Sequence, residues 1–412
     1  MKCKTKNDYG LPLEKSLSKQ IYDALQGEVV ENIIELAKIP SFNNYHRSIL
    51  EGHSFKVEEE TLPRYYKIFN EIKDKLKFDK PVDFYITGDS SVNAFAIASQ
   101  GEDPNIINVN SSLIQLMTED ELRFVIGHEM GHLINENASL VKLIEFIYPE
   151  GSYPPVTLQY KIRLWQQLSE LVADRFGFLA MPDISVCISA FFKMSSGLDF
   201  EKMQMNVEVL LEENNKRLEY FKNDKGINFA THPINPIRVQ ALNMFSKSSF
   251  FVKGGMNKKE LQAELDELTS ILLKIKSSEL DVYMSQFIAT AGIIISNADN
   301  GMHINEYEFI LNELSCFHIF PKDYLETIAK QDVGKLFEES VTKIMQTNPD
   351  ARDSMLQYMI ALVMADKEIK ASEVDLILKI AQNLLGYLPI ETAQIFSQMI
   401  RGSYSPNLNS LC

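Results

Sequence analysis

The sequence predicts an α+β fold that is mostly helical, with one small β-sheet, followed by an all-α helical domain. Apolar residues recur at helical spacing along most of the 412-residue chain. Strand-like segments fall together at 82–87, 92–97 and 106–109, each a short apolar run bounded by turn residues. Three short strands at this spacing indicate a single small sheet, placed directly before a long helix.

Composition and charge restrict the kinds of partner. A content of 45% hydrophobic and 24% charged residues is typical of a soluble globular protein, and the formal net charge is −15. An acidic chain of this kind argues against nucleic acid as a partner, because binding to the phosphate backbone needs a basic surface.

Cysteine usage and hydropathy predict the compartment. The four cysteines show no paired spacing, which is typical of free thiols in a reducing compartment. No run of about eighteen or more apolar residues occurs, and the N-terminus lacks the apolar core of a signal peptide. The sequence therefore predicts a cytoplasmic protein without an integral membrane segment.

Two helices are predicted in the N-terminal part. In the first, 13–38, apolar residues recur every three or four positions opposite a mixed and partly acidic face. Such a helix can lie on a membrane surface or pack on the domain core, and its mixed polar face favours packing on the core. Pro40 ends it, and a second helix is expected from about 58 to 76.

The helix that follows the strands begins at Thr118. Thr118 and Glu121 form a capping-box pattern, in which a threonine and a glutamate three residues later bind each other's backbone N–H groups. Apolar residues lie nearly all round the helix up to Ile134, so we expect it to be buried.

This helix carries the pattern His128-Glu129-Met-Gly-His132. Residues at i and i+4 lie one above the other on a helix, so the two imidazoles can bind one metal ion, with Glu129 beside them as general base. The pattern also arises by chance in unrelated chains. Buried histidine and glutamate side chains are costly without partners, however, and a zinc ion would supply one. This cost favours a metal site of the zinc-peptidase kind.

Glu170 is the predicted third ligand. A catalytic zinc ion takes three protein ligands and leaves a fourth position to water, so we expect one zinc ion per chain. Asp174 lies one turn further along the same helix face, where a carboxylate can accept the second N–H of a metal-bound histidine. Taken alone, Glu-x-x-x-Asp also fits a solvated acidic face. Its position after the histidine pattern favours the zinc site.

Four sequence elements follow one another in the first part of the chain. They are Asn93–Ala96, Thr118–His132, Glu170–Asp174, and Thr231-His232-Pro233 with Arg238. Together, over about residues 60–245, they resemble the M48 family of zinc metallopeptidases, which includes CAAX prenyl proteases and HtpX-type proteases. The resemblance implies a zincin-like metallopeptidase domain in which His128, His132 and Glu170 bind zinc. The membrane-spanning helices of the prenyl and HtpX-type members are absent here, so the chain resembles the soluble branch.

The resemblance also implies a mechanism and a substrate site. Peptide bonds would be hydrolysed through a zinc-activated water, with Glu129 as the catalytic base. We expect the strand that contains Asn93, Ala94 and Phe95 to bind an extended peptide substrate along the sheet edge.

Two residues of the last element have expected roles. His232 fits three roles: a structural residue, a stabiliser of the oxyanion, or a fourth metal ligand that silences the enzyme. We expect it to approach the zinc ion. Arg238 is expected to anchor this segment through a salt bridge to a buried carboxylate.

A domain boundary is predicted at Gly254-Gly255, which gives domains at 1–253 and 254–412. In the second domain, the segments 298–306 and 365–373 resemble each other. Each lies between two apolar helices, so we expect two related helical hairpins.

These hairpins resemble TerB-like domains over about residues 280–390. Acidic residues recur in the two similar segments, at Asp299, Glu306, Asp366 and Glu373. Oxygen ligands of this kind suit a divalent cation. Capping of the adjacent helices is the alternative role, and it is the one that we favour.

The sequence as a whole predicts a zinc endopeptidase that acts on a peptide or protein substrate. The C-terminal domain would regulate it or dock a protein partner. An alternative of another class is a zinc-binding stress-response interaction module with little proteolytic activity. Glu129 argues against that alternative, because a pure binder needs no general base. A zinc hydrolase of small molecules is a third alternative, which the candidate substrate strand disfavours.

Overall fold

The computed structural model of the chain forms two compact units, residues 1–274 and 275–412. Helices account for most of the described residues, and one small sheet lies in the first unit, so the predicted α+β, mostly helical fold is confirmed. The described residues are 9–37, 42–99, 103–135, 137–149, 151–152, 154, 156–199, 202–204, 206–223, 233–273, 278–298, 301–366 and 369–404.

The first unit consists of helices α1–α12 and strands β1–β4. Its helices are α1 (Pro12–Ala24), α2 (Gly27–Leu36), α3 (Phe42–His53), α4 (Pro63–Leu76), α5 (Ser111–Leu116), α6 (Glu119–Ile134), α7 (Asn137–Ile147), α8 (Val156–Ala180), α9 (Ile184–Ser196), α10 (Val207–Asn223), α11 (Asn235–Ser246) and α12 (Lys258–Thr269). Its strands are β1 (Ser54–Lys56), β2 (Val82–Thr87), β3 (Ala94–Ile97) and β4 (Asn105–Asn110).

The sheet has the strand order β1-β2-β4-β3. β2 and β4 are parallel, whereas β1 and β3 pair antiparallel to their neighbours. The three predicted strands are therefore present, and β1 is a fourth that the sequence pattern did not indicate. β3 lies at one edge of this sheet and packs beside α6.

The predicted helix over 13–38 is two helices, and that prediction is wrong in this respect. Gln26 adopts the left-handed conformation with φ of 52°, which ends α1 and starts α2 in a new direction. At the next residue, Gly27, a Cβ would come within 2.3 Å of the Tyr22 ring, so a side chain there would require that ring to move. α1 packs on α8 with Leu17 and Ile21 fully buried, as expected for a helix that faces the core.

Helices α6 and α8 form the most extensive helix pair of the first unit. Glycines on α6 let the two backbones come close together. A Cβ at Gly127 would lie 2.4 Å from Ala180 Cβ, and one at Gly131 would lie 2.9 Å from Phe176 Cβ. Contacts that short do not occur between real side chains, so glycine at both positions is a packing requirement.

The start of α6 is fixed by a buried ion pair as well as by its cap. The predicted capping box is present: Thr118 N donates to Glu121 Oε2 at 2.7 Å, and Glu121 N donates to Thr118 Oγ1 at 3.3 Å. Glu121 Oε2 also accepts from Lys193 Nζ of α9 at 2.8 Å, and Ser189 donates to its other oxygen. Lys193 is only 2% exposed, so this pair is shielded from water.

Helices α13–α19 form the second unit around one apolar core. No strand occurs among its described residues. Its helices are α13 (Glu279–Ser296), α14 (Ile304–Leu314), α15 (Pro321–Ala329), α16 (Val333–Thr347), α17 (Ala351–Val363), α18 (Ala371–Asn383) and α19 (Pro389–Tyr404).

Two similar helix pairs, α13–α14 and α17–α18, lie at the positions of the expected hairpins. Glu306 Oε2 accepts from His303 N at 2.7 Å, and Glu373 Oε2 accepts from Lys370 N at 2.9 Å. Each glutamate therefore caps the start of its own helix, which is the role that the sequence favoured. Asp299 lies outside the described residues.

The division of the chain falls after residue 274, whereas the sequence placed a boundary at 253/254. The physical reason is α12, which follows the glycine pair and packs on α11 of the first unit. In the parts of the chain that the structure describes, no helix combines the length and the apolar character needed to cross a membrane.

Replacing Gly127 with alanine should lower the free energy of unfolding of the first unit by about 1–3 kcal/mol, because the new methyl group overlaps Ala180. Urea unfolding can be followed through Trp165, the single tryptophan of the chain, which is buried on α8. The matched control is Gly52→Ala, a helical position with nothing within 4 Å of the new Cβ. Equal unfolding midpoints for the two variants would contradict the packing requirement.

Replacing Lys193 with methionine should cost about 3–5 kcal/mol, because it leaves the Glu121 carboxylate buried without its cation. Lys202→Met is the control, since Lys202 pairs with Asp199 at the surface and such pairs contribute at most about 1 kcal/mol. Adding Glu121→Gln to Lys193→Met should recover part of the loss. If both lysine variants unfold at the same urea concentration, the buried pair does not stabilise the start of α6.

Candidate metal centre

Three side chains from two helices meet in one cluster. His128 and His132 of α6 face Glu170 of α8, and one ligand atom from each lies within 4.8 Å of the others. His128 Nε2 is 3.5 Å from Glu170 Oε2, His132 Nε2 is 3.3 Å from Glu170 Oε1, and the two Nε2 atoms are 3.2 Å apart. Among the described residues this is the one group of such side chains that could hold a metal ion.

These separations fit a tetrahedral zinc site. Ligand atoms at about 2.0–2.1 Å from a tetrahedral ion lie about 3.3 Å from one another. The nearest separations of 3.2–3.5 Å are close to that value, with each imidazole nearest to a different oxygen of Glu170. Two imidazoles and one carboxylate are also a ligand set of catalytic zinc, which leaves a fourth position open. The residues present therefore fit the group that the sequence predicted.

Asp174 orients the first imidazole. His128 Nδ1 donates to Asp174 Oδ1 at 2.8 Å, since an ionised carboxylate can only accept. This bond leaves Nε2 of His128 as the atom available to a metal, in the arrangement typical of zinc-bound histidines. Asp174 is 1% exposed, so its charge is not screened by water.

Arg238 of α11 compensates that buried charge. Its Nε donates to Asp174 Oδ2 at 2.9 Å and its Nη2 to Asp174 Oδ1 at 2.6 Å, a bidentate geometry. The same Nη2 lies 3.5 Å from Glu170 Oε2. Burial would raise the pKa of Asp174, but the Arg238 guanidinium outweighs the effect of burial and holds that pKa below its usual range.

The electrostatics of the cluster favour a cation between the ligand atoms. Burial alone would lower the pKa of His132, but the Glu170 carboxylate outweighs it and raises that pKa to about 9. For Glu170 the signs are reversed: burial would raise its pKa, but the imidazole of His132 and the guanidinium of Arg238 lower it. The same negative surroundings thus favour a proton on His132 and a metal ion beside it. His132 must lose that proton before it can bind a metal.

Glu129 lies beside the cluster on α6 and is 6% exposed. Burial raises the pKa of its carboxyl group, with the nearby imidazoles acting in the opposite direction. A carboxylate with a raised pKa holds an abstracted proton better than an ordinary surface glutamate does, which suits a general base.

Edge strand β3 contains two of the three predicted substrate residues. Asn93 is exposed just before the strand and Ala94 is buried at its start. The half-buried Phe95 packs with Leu50 and Tyr85 on one sheet face. Successive side chains of a strand point to opposite faces, so Ala94 points to the other face. Asn110 N donates to Asn93 O, and hydrogen-bonded pairs alternate along an antiparallel ladder, so the backbone groups of Phe95 face Asn108 of β4. The backbone groups of Ala94 and Ala96 are the ones that face away from β4.

A cavity of about 140 Å³ lies near the site, between α9, α10 and α11. One of its walls is Phe191, whose ring carries the Arg238 guanidinium at 4.9 Å from its centroid. The residues that line it include none of His128, His132 and Glu170.

The structure brings together six of the predicted site residues and leaves one undecided. His128, His132, Glu170, Asp174 and Arg238 are connected by contacts, and Glu129 follows His128 directly on α6. His232 lies outside the described residues. Sequence reasoning missed Lys193, although a lysine within the otherwise apolar stretch of α9 was a signal for a buried pair.

A comparison with protein families matches residues 63–147 to Peptidase family M48. This span runs from α4 through the sheet to α7, and so contains the His-Glu-x-x-His pattern of α6. It ends before α8, so the position of Glu170 rests on the geometry described above.

Comparison with curated proteins shows similarity to metallopeptidases. The chain is 26% identical over 244 residues to Plastoglobule-localized metallopeptidase 48, chloroplastic, of Arabidopsis thaliana, which covers 53% of this chain and 70% of that protein. It is 32% identical over 106 residues to a protease HtpX homolog of Trichormus variabilis, covering 24% of this chain and 35% of that protein. Over 146 residues it is 26% identical to a protease HtpX homolog of Helicobacter pylori, covering 34% of this chain and 46% of that protein.

Replacing Asp174 with asparagine should weaken zinc binding about 10–100-fold, because His128 loses the carboxylate that orients it and Arg238 is left without its partner. Competition with a chromophoric chelator measures the dissociation constant. Asp120→Asn, an exposed position on the same helix as the histidines, is the control. Equal zinc affinity for both variants would show that Asp174 does not orient the ligand.

Proposed function

We propose that this chain is a zinc metallopeptidase of the M48 type, with a zincin-like first unit. The observation that carries the proposal is the ligand geometry of His128, His132 and Glu170, at the spacing of a tetrahedral site. The match of residues 63–147 to Peptidase family M48 and the similarity to proteins named as metallopeptidases support the same assignment.

His128, His132 and Glu170 would hold one zinc ion per chain. Zinc at such a site supplies Lewis acidity and lowers the pKa of a coordinated water to near neutrality. A carboxylate oxygen of Glu129 takes the proton from the attacking water and delivers it to the leaving amine nitrogen. Asp174 and Arg238 hold His128 in the tautomer and orientation that this reaction needs.

The proposed substrate is a peptide or protein chain bound in extended form. Edge strand β3 pairs with β4 on one side, and no described strand pairs with its other side. Backbone groups of Ala94 and Ala96 would bind the peptide as an added strand. A chain that runs along an edge passes the site on both sides of the cleaved bond, which favours an endopeptidase. The role of His232 at the oxyanion or the metal stays a prediction.

We assign the second unit a regulatory or docking role, for a protein partner. Its two capped helix pairs are consistent with the TerB-like resemblance noted from the sequence. The cytoplasmic location also stays a prediction. The alternative function, a zinc-binding stress-response module with little proteolysis, differs from the enzyme in one testable respect, the use of Glu129.

Replacing Glu129 with glutamine should leave zinc content unchanged and reduce casein cleavage about 10²–10⁴-fold, because the side chain loses its ability to take a proton. Metal analysis of the purified protein and cleavage rates with wild type and variant test both parts. Glu60→Gln, at an exposed position, is the control and should cleave at the wild-type rate. Bound zinc with equal cleavage by wild type and Glu129→Gln would favour the interaction module instead.

A further inference from the structure

A buried carboxylate lies in the N-terminal helix, outside the cluster of His128, His132 and Glu170. α1 presents Leu17 and Ile21 to α8, both fully buried, and Glu14 lies on the same buried face with 2% exposure. A glutamate in an apolar interface is costly unless its oxygens accept hydrogen bonds. Its position therefore calls for a specific role.

Oxygen Oε1 of Glu14 accepts from both helices that carry the zinc ligands. Asn135 Nδ2 donates to it at 3.3 Å, and Asn135 is the residue that ends α6. Trp165 Nε1 of α8 donates at 3.1 Å. Ser169 Oγ of α8 lies 3.5 Å from the same oxygen, while its single proton is better placed for Trp165 O at 2.9 Å. Asn135 is three residues after His132, and Ser169 directly precedes Glu170. One buried oxygen thus connects the end of the histidine helix to the segment that carries the third ligand.

We propose that Glu14 is a positioning residue of the metal centre, which sets the spacing between His132 and Glu170. Those two ligands come from different helices, and their ligand atoms are 3.3 Å apart. A displacement of one helix by a fraction of an ångström would take that distance out of the range of a tetrahedral site. The contacts at Gly127 and Gly131 fix how closely the helices approach, whereas Glu14 fixes the position of one end of α6 along α8.

The test compares Glu14→Leu, which removes the acceptor, with Glu14→Gln, which keeps one acceptor oxygen. Zinc alone is the probe, and its dissociation constant is measured by chelator competition well below the unfolding temperature. We expect zinc binding about tenfold weaker in Glu14→Leu and largely restored in Glu14→Gln. Glu35→Leu, exposed on α2, is the matched control and should bind zinc as wild type does.

A second measurement separates positioning from ordinary stabilisation. With a peptide substrate, Glu14→Leu should lower kcat several-fold and leave KM nearly unchanged, because β3 is not altered. Unfolding through Trp165 fluorescence reports stability independently. A Glu14→Leu variant that is less stable but has wild-type zinc affinity and wild-type kcat would overturn the proposal, because Glu14 would then only stabilise the fold.

Milder variants cover the case in which Glu14→Leu does not fold. Asn135→Ala and Trp165→Phe each remove one donor to Glu14, one on each helix. Their combination should weaken zinc binding several-fold, and unchanged affinity would overturn the proposal. Only the kcat measurement rests on the proposed peptidase function. If the wild type binds zinc but does not cleave, that function fails while the zinc affinities still decide the role of Glu14.

Discussion

The close approach of α6 and α8 is the constraint on which the site depends. His128 and His132 come from α6 and Glu170 from α8, so the distance between the helix axes sets the distance between their side chains. Glycines make this approach possible from both sides: Gly127 and Gly131 on α6, and Gly177 on α8, where a Cβ would lie 2.8 Å from Phe124. A methyl group added at this interface would push the helices apart by more than the ligand distances of a metal site can change.

Buried polar groups fix what the glycines leave free. Lys193 holds the start of α6 through Glu121, Glu14 holds its end through Asn135, and Arg238 holds the middle through Asp174 and His128. Each group is a charge placed away from water and satisfied by hydrogen bonds. Such networks are costly when one member is removed, and for that reason they specify one arrangement of helices over others. The histidine helix is thus held at three points along its length.

Local patterns in the sequence allowed part of this structure to be predicted. The His-Glu-x-x-His pattern, the Thr118 capping box and strand β2 depend on residues a few positions apart, and all three occur where they were expected. Glu170 and Asp174 were identified through their order after the histidines. The same kind of reasoning could not find Glu14, because its partners are more than a hundred residues away. A charged residue among Leu11, Leu17 and Ile21 was the available signal.

Other differences also have a long-range cause. β1 is three residues long, too short to show an alternating pattern, and it exists because β2 offers a free edge. The apolar pattern of the sequence runs through Gln26 without a gap. It therefore gives no sign of the left-handed residue that separates α1 from α2. The division after residue 274 follows from the packing of α12 on α11, which no glycine pair reveals.

The spacing of the ligand atoms has a consequence for metal affinity. Helix packing and side-chain hydrogen bonds among protein groups produce that spacing, so the cost of arranging the ligands is part of the cost of folding. When only a fraction of the molecules is in the binding-competent form, the apparent affinity is the intrinsic affinity multiplied by that fraction. Here the fold sets the positions of His128, His132 and Glu170, so the binding-competent fraction depends on loss of the proton from His132, whose pKa is raised to about 9. A metal ion bound by these three side chains would then have little conformational entropy to remove, and its affinity would depend on the charge and protonation of the ligands.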